Sequence, residues 1–374
     1  MKTGLTLIFI IPLIVFTGCQ KDVSPVITKH EPPVITSLSP DQDTIKYNEF
    51  TTITCSAYDP GGSTLTYVWA ASSGRIISDT SSSVIWLAIV SPGIYQISCT
   101  VVANSNGSQS TETINLQVTN SSTQIRDYSF LVNTRDGIIH VDSSGKADNF
   151  IIEPDAFYGI EVHNDSLFVL LWWEQLLEYD RTRNIINRIP IPERCRGYFT
   201  AIHDSKFAFY DNWNDSIYFI NSIGNHLKTV GMLTEPNILN QNVNGIVVDN
   251  SLIVSENGEN KILKVDLDSY EVSVFKDLSN LFGWLGAIDY SDGIYYICQF
   301  NKIWGFIKAL DNSLFLITKL PEGSITSLVV INNYAYATVY KGRIYKISIS
   351  TGEYEIFAHG LNYPEDIEVW RIKE

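Results

Sequence analysis

The sequence predicts an all-β protein built from a β-sandwich and a following series of small four-stranded sheets. Two observations lead to this prediction. Apolar residues alternate with a period of two between Ile53 and Val101, as they do in half-buried strands. After residue 124, a pattern of four short strands without helical periodicity recurs about every 40 residues.

Composition sets bounds on size and partners. The chain has 374 residues, of which 45% are apolar and 12% aromatic, enough for a sizeable core in more than one domain. It contains 41 Asp and Glu against 26 Lys and Arg, a formal net charge of -15, and it has no basic run. Nucleic-acid backbones are bound by clustered positive charge, so we do not expect a nucleic-acid partner.

The first 18 residues have the features of a signal peptide. Lys2 precedes an apolar run from Leu5 to Phe16, which is too short to cross a bilayer core of about 30 Å as a stable helix. Two small residues then stand directly before Cys19, and this ending resembles the lipobox of bacterial lipoproteins.

This resemblance implies cleavage before Cys19 and a diacylglyceryl group on its sulfur, so that lipid chains hold the mature protein on a membrane. Gln20 follows, and not Asp, which favours sorting to the outer membrane. The predicted location is therefore the cell envelope of a bacterium, at the outer membrane or cell surface. The alternative is an ordinary secretory signal with an incidental cysteine.

Residues 19–33 form the predicted tether and residues 34–120 the predicted sandwich. The tether is polar, lacks periodicity and contains three prolines. In the sandwich, Cys55 and Cys99 both point inward from different strands, with Trp69 between them in sequence. We predict a disulfide between these cysteines in an oxidising compartment. The alternative is a pair of reduced core cysteines.

Two segments of the sandwich carry a family resemblance. "YDPGGSTLTYVW" (residues 58–69) and "PGIYQISCTV" (residues 92–101) resemble PKD and related immunoglobulin-like domains. The resemblance implies an immunoglobulin-like sandwich that acts as a spacer or adhesive module. Gly61, Gly62 and Ser63 replace the Asp-Gly-Asp of that family, which argues against calcium at this turn.

Residues 125–374 repeat a single pattern. Six segments align as first strands, and they begin at Tyr158, Tyr198, Asn244, Leu285, Ile325 and Pro364. After each of the first five comes a tight polar turn and then a second, a third and a fourth short strand. Four short strands per repeat are typical of the blades of a β-propeller.

The repeat starts out of phase, and this predicts how the propeller is completed. Tyr128 begins a second strand that no first strand precedes, whereas "EDIEVW" (residues 365–370) stands alone at the C-terminus and echoes "YGIEVH" (residues 158–163). An open ring would leave sheet edges unpaired. We therefore predict that the terminal strand completes the first sheet and closes a ring of six blades.

The segment "GIVVDNSLIVSENGENKILKVD" (residues 245–266) resembles an NHL-type repeat. The resemblance implies a six-bladed propeller over about 250 residues. Related propellers include gluconolactonases, amidating lyases and interaction domains, so the resemblance implies the fold and leaves the activity open.

Aromatic and polar residues concentrate in the loops of one predicted propeller face, between second and third strands and between blades. Flat aromatic surfaces with hydrogen-bonding groups among them suit sugars or peptides. The predicted ligand-binding residues are Trp172, Trp173, Tyr210, Trp213, Glu256, Asn257, Trp284, Phe300 and Tyr340. The alternative is that these aromatics fill the wedges between blades.

The sequence gives no basis for a catalytic residue, a metal site or a cofactor, and its cysteines lack zinc spacing. The predicted function is that of a lipoprotein whose propeller binds a glycan, or an envelope protein or peptide, with the sandwich as spacer. Two alternatives stay open. One is a metal-dependent lactone hydrolase or lyase, with Glu365, Asp366 and Asn244 at the mouth of the central channel of the propeller. The other is a protein scaffold without a small-molecule ligand.

Overall fold

The computed structural model describes residues 31–77, 81–119, 128–152, 157–163, 166–171, 174–192, 198–211, 216–231, 245–256, 260–281, 283, 285–307 and 314–371. Every regular element in these ranges is a β-strand, so the predicted all-β class is confirmed for this part of the chain. The predicted signal peptide, Cys19 and most of the predicted tether lie outside the described residues.

Eight strands form two four-stranded sheets, which we call the N-terminal sheets. They are β1 (Val34–Pro40), β2 (Thr44–Lys46), β3 (Phe50–Tyr58), β4 (Leu65–Ala71), β5 (Arg75–Ile77), β6 (Ser83–Leu87), β7 (Gly93–Ala103) and β8 (Gln109–Thr119). The strand order is β1-β3-β6-β5 in one sheet and β2-β8-β7-β4 in the other. The short β2 runs parallel to β8, and the other pairs are antiparallel.

The N-terminal sheets pack face to face around one apolar core. Cys55 and Trp86 enter it from one sheet, and Trp69 and Cys99 enter it from the other. Both thiols are buried, and both are unbridged in this structure. The inward orientation predicted for both cysteines is therefore confirmed, while the disulfide stays a prediction.

The rest of the chain forms six four-stranded sheets, which we call the C-terminal sheets. Their strands are β9 (Tyr128–Thr134), β10 (Gly137–Val141), β11 (Ala147–Ile151), β12 (Phe157–His163), β13 (Ser166–Leu171), β14 (Gln175–Tyr179), β15 (Ile185–Pro190), β16 (Tyr198–His203), β17 (Lys206–Asp211), β18 (Ser216–Asn221), β19 (His226–Gly231), β20 (Gly245–Val248), β21 (Ser251–Glu256), β22 (Lys261–Asp266), β23 (Val272–Asp277), β24 (Leu285–Ser291), β25 (Ile294–Gln299), β26 (Lys302–Ile307), β27 (Phe315–Lys319), β28 (Ile325–Ile331), β29 (Tyr334–Val339), β30 (Arg343–Ser348), β31 (Tyr354–His359) and β32 (Asp366–Arg371).

Five of the C-terminal sheets are simple meanders of four consecutive strands, and the sixth has the order β11-β10-β9-β32. Each sheet has two distinct ends. The turn end carries the connections between first and second and between third and fourth strands. The loop end carries the connections between second and third strands and the links to the next sheet.

The turn ends are shaped by side chains at the close of the third strands. Carboxylate oxygens of Asp142, Asp180 and Asp266 each accept hydrogen bonds from backbone N–H groups two to four residues further on. Such Asx turns let a short side chain replace a backbone partner, and they explain why several third strands end in Asp.

The C-terminal strand β32 pairs with β9, as the phase of the repeat predicts. The register runs from Asp366 opposite Asn133 to Arg371 opposite Tyr128. Ser129 donates a hydrogen bond to the Trp370 carbonyl at 3.0 Å, and the Trp370 ring belongs to a buried cluster that includes Ile160 of the next sheet. The terminal strand thus completes one sheet and helps to fill the core against its neighbour.

First strands of neighbouring C-terminal sheets contact each other in chain order: β12 with β16, then β20, β24, β28 and β32. The last of them, β32, also contacts β12. Hydrogen bonds join corresponding ends of adjacent sheets, such as His203 to Asn250 at turn ends and Thr326 to the Pro364 carbonyl at loop ends.

Removal of residues 364–374 is expected to unfold all six C-terminal sheets, because β9 then loses one of its two partner strands and two apolar clusters lose β32 side chains. Loss of the cooperative transition in a thermal melt followed by circular dichroism tests this. Trp370→Ala is the milder variant, with an expected cost of about 3–5 kcal/mol. Deletion of residues 372–374 alone is the control. A truncated chain that melts near the temperature of the intact one would contradict the expectation.

The Cys55–Cys99 bridge is expected to form when the protein is exported to an oxidising compartment. In the chain-entropy model, a closed loop of about 45 residues contributes about 4 kcal/mol to the free energy of unfolding. Thiol titration of the denatured, unreduced protein should count two fewer cysteines than after reduction, and reduction should lower the urea midpoint. Cys55→Ser with Cys99→Ser should abolish both differences. Full titration of both thiols before reduction would contradict the bridge.

Candidate ligand-binding loop end and acidic cavity

The predicted ligand-binding residues fall into three groups in the structure. Trp172, Trp173, Trp213, Asn257 and Trp284 lie outside the described residues, and of Glu256 only the backbone is described, at the end of β21. Tyr210 is 2% exposed and packs in the core with Ala208 and Ile217, so it does not reach the surface. Phe300 and Tyr340 are exposed at loop ends, as predicted.

Tyr210 is buried because its strand is covered on both faces. In β17, every residue from Phe207 to Asp211 is buried. The second strand of a sheet that is packed on both sides has no exposed alternate face, so its aromatic residues serve the core. Tyr210 therefore fills space between neighbouring sheets, which is the alternative stated for these aromatics.

Phe300 lies between β25 and β26 with 47% of its side chain exposed. Its ring rests against Gly283, whose backbone has a φ of 111°. A Cβ atom at Gly283 would lie 2.1 Å from the ring, so only glycine lets the ring sit there. The Gly283 backbone thus supports the Phe300 ring, and the exposed part of the side chain offers apolar surface at the loop end.

Tyr340 and Tyr363 extend this surface over the two sheets that follow. Tyr340, between β29 and β30, is 42% exposed, and Tyr363, in the link before β32, is 46% exposed. The guanidinium of Arg135 lies 4.1 Å from the centre of the Tyr363 ring, and Asn362 donates to the Asp136 carboxylate at 2.9 Å. Tyr363 was not predicted from the sequence, although its link segment belongs to the loops that were singled out.

Charged groups stand beside these aromatics. Glu322 accepts hydrogen bonds from Lys341 at 3.1 Å and from the Tyr345 hydroxyl at 3.0 Å, and it also pairs with Arg343. Arg135 and Lys341 are exposed at the same ends of their sheets. The loop ends of three successive sheets therefore combine exposed rings with hydrogen-bonding groups, as a sugar or peptide requires.

Four carboxyl groups line a second feature, a cavity of about 240 Å³ between the first strands. They are Glu161 of β12, Asp289 of β24, and Asp366 and Glu368 of β32. Glu161 and Asp289 hold equivalent positions, each two residues before the end of its first strand. The sequence reasoning missed Glu161, Asp289 and Glu368. The sequence does contain a pattern that relates two of them: "YGIEVH" and "EDIEVW" share Ile-Glu-Val, which places Glu161 and Glu368 at equivalent positions of their first strands.

Two of the four carboxylates join neighbouring sheets. Asp366 accepts hydrogen bonds from the Ser327 hydroxyl at 2.9 Å and from the backbone N–H of Ile160 at 3.3 Å, which belong to the sheets on either side of it. Asp289 accepts from the N–H of Tyr290 at 2.8 Å and of Val330 at 2.5 Å. These carboxylates therefore act as acceptors for backbone groups of adjacent first strands.

The environment of the cavity disfavours charge on all four groups. Burial raises the pKa of Asp289 to about 7 and that of Asp366 to about 6, even though hydrogen bonds from N–H and hydroxyl groups oppose the rise. Burial also raises the pKa of Glu161 and Glu368 well above the usual range, and the neighbouring carboxylates raise it further.

The structure describes two of the three residues named for the metal-dependent alternative, Glu365 and Asp366. Glu365 is exposed, the oxygens of Asp366 are occupied by hydrogen-bond donors, and Asn244 lies outside the described residues. Among the residues that the structure describes, no group of three or more His, Cys, Asp or Glu side chains is placed to hold a metal ion. The same part of the chain has no helix long and apolar enough to cross a membrane.

Together these features define an all-β protein of many four-stranded antiparallel sheets. No family model matches the chain, and no curated protein matches it. Solved structures do match. A chain from the crystal structure of a nidogen/laminin complex is 11% identical, with a TM-score of 0.53, and the match covers 65% of this chain and 98% of that one.

Two bacterial proteins of unknown function are also similar. One, from Bacteroides caccae, is 10% identical over 66% of this chain and 100% of that one, with a TM-score of 0.49. The other, from Bacteroides thetaiotaomicron, is 15% identical over 88% of this chain and 72% of that one, with a TM-score of 0.36. At such identities a likeness concerns the fold alone, and the nidogen/laminin match is the one of these three that supports it.

The acidic cavity predicts that stability falls as pH rises. Carboxyl groups with a raised pKa in the folded state bind more protons there than in the unfolded chain, where their pKa is about 4. The free energy of unfolding should therefore decrease from pH 5 to pH 8, through the values of about 6 and 7 for Asp366 and Asp289. Urea unfolding at both pH values measures this.

The double variant Glu161→Gln with Glu368→Gln should reduce this pH dependence and be more stable than the parent at pH 8, since it removes two unfavourable charges. Glu174→Gln, at an exposed site outside the cavity, is the matched control and should leave the dependence unchanged. A parent protein that gains stability from pH 5 to pH 8 would contradict the assigned direction of these pKa values.

Proposed function

We propose that this chain is a bacterial cell-envelope lipoprotein that binds a ligand on the loop ends of a closed six-bladed, NHL-type β-propeller. A glycan is the favoured ligand, and a peptide is the other class that the loop ends suit. In this proposal the chain is held to the membrane by lipid on Cys19, and the N-terminal sheets are an immunoglobulin-like domain of the PKD type.

The contacts between first strands support the propeller. Six sheets whose first strands touch in cyclic order, with β32 in contact with both β28 and β12, are what a closed ring of blades requires. The pairing of β32 with β9 would let one blade draw strands from both ends of the domain and would leave no first strand without a neighbour.

The strand order supports the immunoglobulin-like domain. The orders β1-β3-β6-β5 and β2-β8-β7-β4 correspond to the A-B-E-D and A′-G-F-C sheets of such sandwiches. Cys55 of β3 and Cys99 of β7 stand in the positions of the inter-sheet cysteines, and Trp69 of β4 stands where these domains bury a tryptophan.

The observation that carries ligand binding is the row of exposed rings on Phe300, Tyr340 and Tyr363 at the loop ends of three successive sheets. Exposed aromatic rings beside fixed charges and amides suit a ligand with an apolar face and a polar rim, which describes a pyranose ring. The metal-dependent enzyme has less support, because the oxygens of Asp366 already accept hydrogen bonds from adjacent strands.

A screen of glycan and peptide arrays with the purified mature protein tests this proposal. Phe300→Ala and Tyr340→Ala should each weaken binding about tenfold, which corresponds to about 1.4 kcal/mol, without a change in melting temperature. Tyr334→Ala is the matched control, since Tyr334 is also exposed but begins β29 at a turn end. Equal losses from Tyr334→Ala and Phe300→Ala would contradict a loop-end site, and blank arrays would favour the protein scaffold.

A further inference from the structure

The N-terminal and C-terminal sheets share one apolar cluster. Ile77, Leu87 and Ile89 of the N-terminal part are buried in it, and Phe50 and Ile85 pack against it. On the other side, the cluster includes residues of the sheets β24 to β27 and β28 to β31, among them Ile294, Tyr296, Phe315 and Ile317. The N-terminal and C-terminal sheets are therefore packed against each other, in addition to being consecutive in the chain.

Arg75 strengthens this junction. Its guanidinium donates hydrogen bonds to the carbonyls of Leu316 and, at 3.4 Å, Ile349, and it lies 4.9 Å from the centre of the Phe315 ring. Burial lowers the pKa of Arg75. A charged group is removed from water only where such partners replace its hydration, so these contacts fix the orientation of the two parts.

Tyr47 of the N-terminal part and Tyr296 of the C-terminal part interact electrostatically across the same junction. Tyr296 is 1% exposed, and burial is the main cause that raises its pKa, with a further contribution from Tyr47. Burial also raises the pKa of Tyr47, and the charge of Asp292 adds to this rise. Asp292 belongs to the turn between β24 and β25, so this electrostatic interaction places Tyr47 near a turn end.

The polar partners of this junction lie at turn ends of the C-terminal sheets. Asp292 lies between a first and a second strand, Leu316 follows the connection between a third and a fourth strand, and Ile349 lies in such a connection in the next sheet. Phe300, Tyr340 and Tyr363 lie at the opposite ends. The N-terminal sheets are therefore packed on the side away from the exposed aromatic rings.

The N-terminal sheets have two distinct ends along the direction of their strands: one end at the junction and the other at the start of β1. Phe50, at the start of β3, pairs with Leu87 at the junction, whereas Tyr58, at the end of β3, pairs with Val34. The nine residues of β3 span about 30 Å at about 3.3 Å per residue. The start of β1, where the predicted tether enters, thus lies at the far end from the C-terminal sheets.

We infer that the N-terminal sheets are a rigid mount that holds the C-terminal sheets away from the anchoring membrane and turns their loop ends outward. The order along the molecule is then lipid, tether, N-terminal sheets, turn ends and, last, loop ends. The surface so presented fits a partner beyond the anchoring membrane and does not fit the headgroups or proteins of that membrane. This inference rests on the proposed anchor and the proposed loop-end site.

Energy transfer to a lipid surface tests the orientation. The lipidated protein is reconstituted in vesicles that contain an acceptor-labelled lipid, and a donor dye is placed at Ser143→Cys or at Asp136→Cys. These exposed positions lie at the turn end and the loop end of one strand, β10, about 20 Å apart. Transfer should be higher from residue 143. Equal or reversed transfer would overturn the inference.

Variants at the junction test the mount. Ile89→Asp should remove the difference between the two donor positions, because the C-terminal sheets then lose their fixed orientation; Arg75→Ala serves the same purpose should Ile89→Asp fail to fold. Ile94→Asp, at a site that is 71% exposed on β7, is the matched control and should keep the difference. A difference that survives both Ile89→Asp and Arg75→Ala would overturn the role of the junction.

A second means of attachment separates this inference from lipidation. A hexahistidine tag in place of the lipid at residue 19 binds the chain to vesicles that contain a nickel-chelating lipid. If the tagged chain shows the higher transfer from residue 143 while the untagged chain is not lipidated, the mount holds and the proposed anchor fails. Loss of the difference in both preparations would overturn the mount alone.

Discussion

Six backbone pairs join β32 to β9, from Asp366 opposite Asn133 to Arg371 opposite Tyr128, across more than two hundred residues of sequence. The other five C-terminal sheets are formed by consecutive strands and depend on short connections. This one sheet depends on a contact between the two ends of the region. Because β32 also touches β28 and β12, the first and last meanders meet through it. Formation of this sheet therefore depends on residues far apart in sequence, and the entropy of closing that long loop is lost before the terminal contacts form.

The same strand explains the acidic cavity. Asp366 and Glu368 of β32 face Glu161 of β12 and Asp289 of β24, so the completion of the sheet brings like charges together. Asp366 offsets part of this cost, because it accepts hydrogen bonds from Ser327 on one side and Ile160 on the other. Glu161 and Glu368 lie among these charges, and their pKa values are raised by burial and by their neighbours. The cavity thus combines a stabilising junction between sheets with an electrostatic penalty that protonation relieves.

Much of the fold could be predicted from the sequence, because strand period and repeat period are local signals. The six first strands, the completion of the first sheet by residues 365–370, and the inward cysteines follow from apolar alternation and phase. The cavity was missed for a physical reason: alternation separates the two sides of a first strand but does not say which side meets water. Tyr210 was misassigned because both faces of its strand are covered, so its position in the sequence does not reveal its exposure. The tryptophans of the predicted site lie outside the described residues, and the ligand stays a prediction.

The junction between the two parts of the chain was also beyond sequence patterns. Ile77, Leu87 and Ile89 have the alternation of a sandwich core, and the sequence does not distinguish packing inside a domain from packing between domains. The difference matters because of where the junction lies. The hydrogen bonds of Arg75 lie at turn ends, whereas the exposed rings of Phe300, Tyr340 and Tyr363 lie at loop ends. Residues at the turn ends can therefore serve stability and orientation. Residues at the loop ends are constrained mainly by the binding surface that they form.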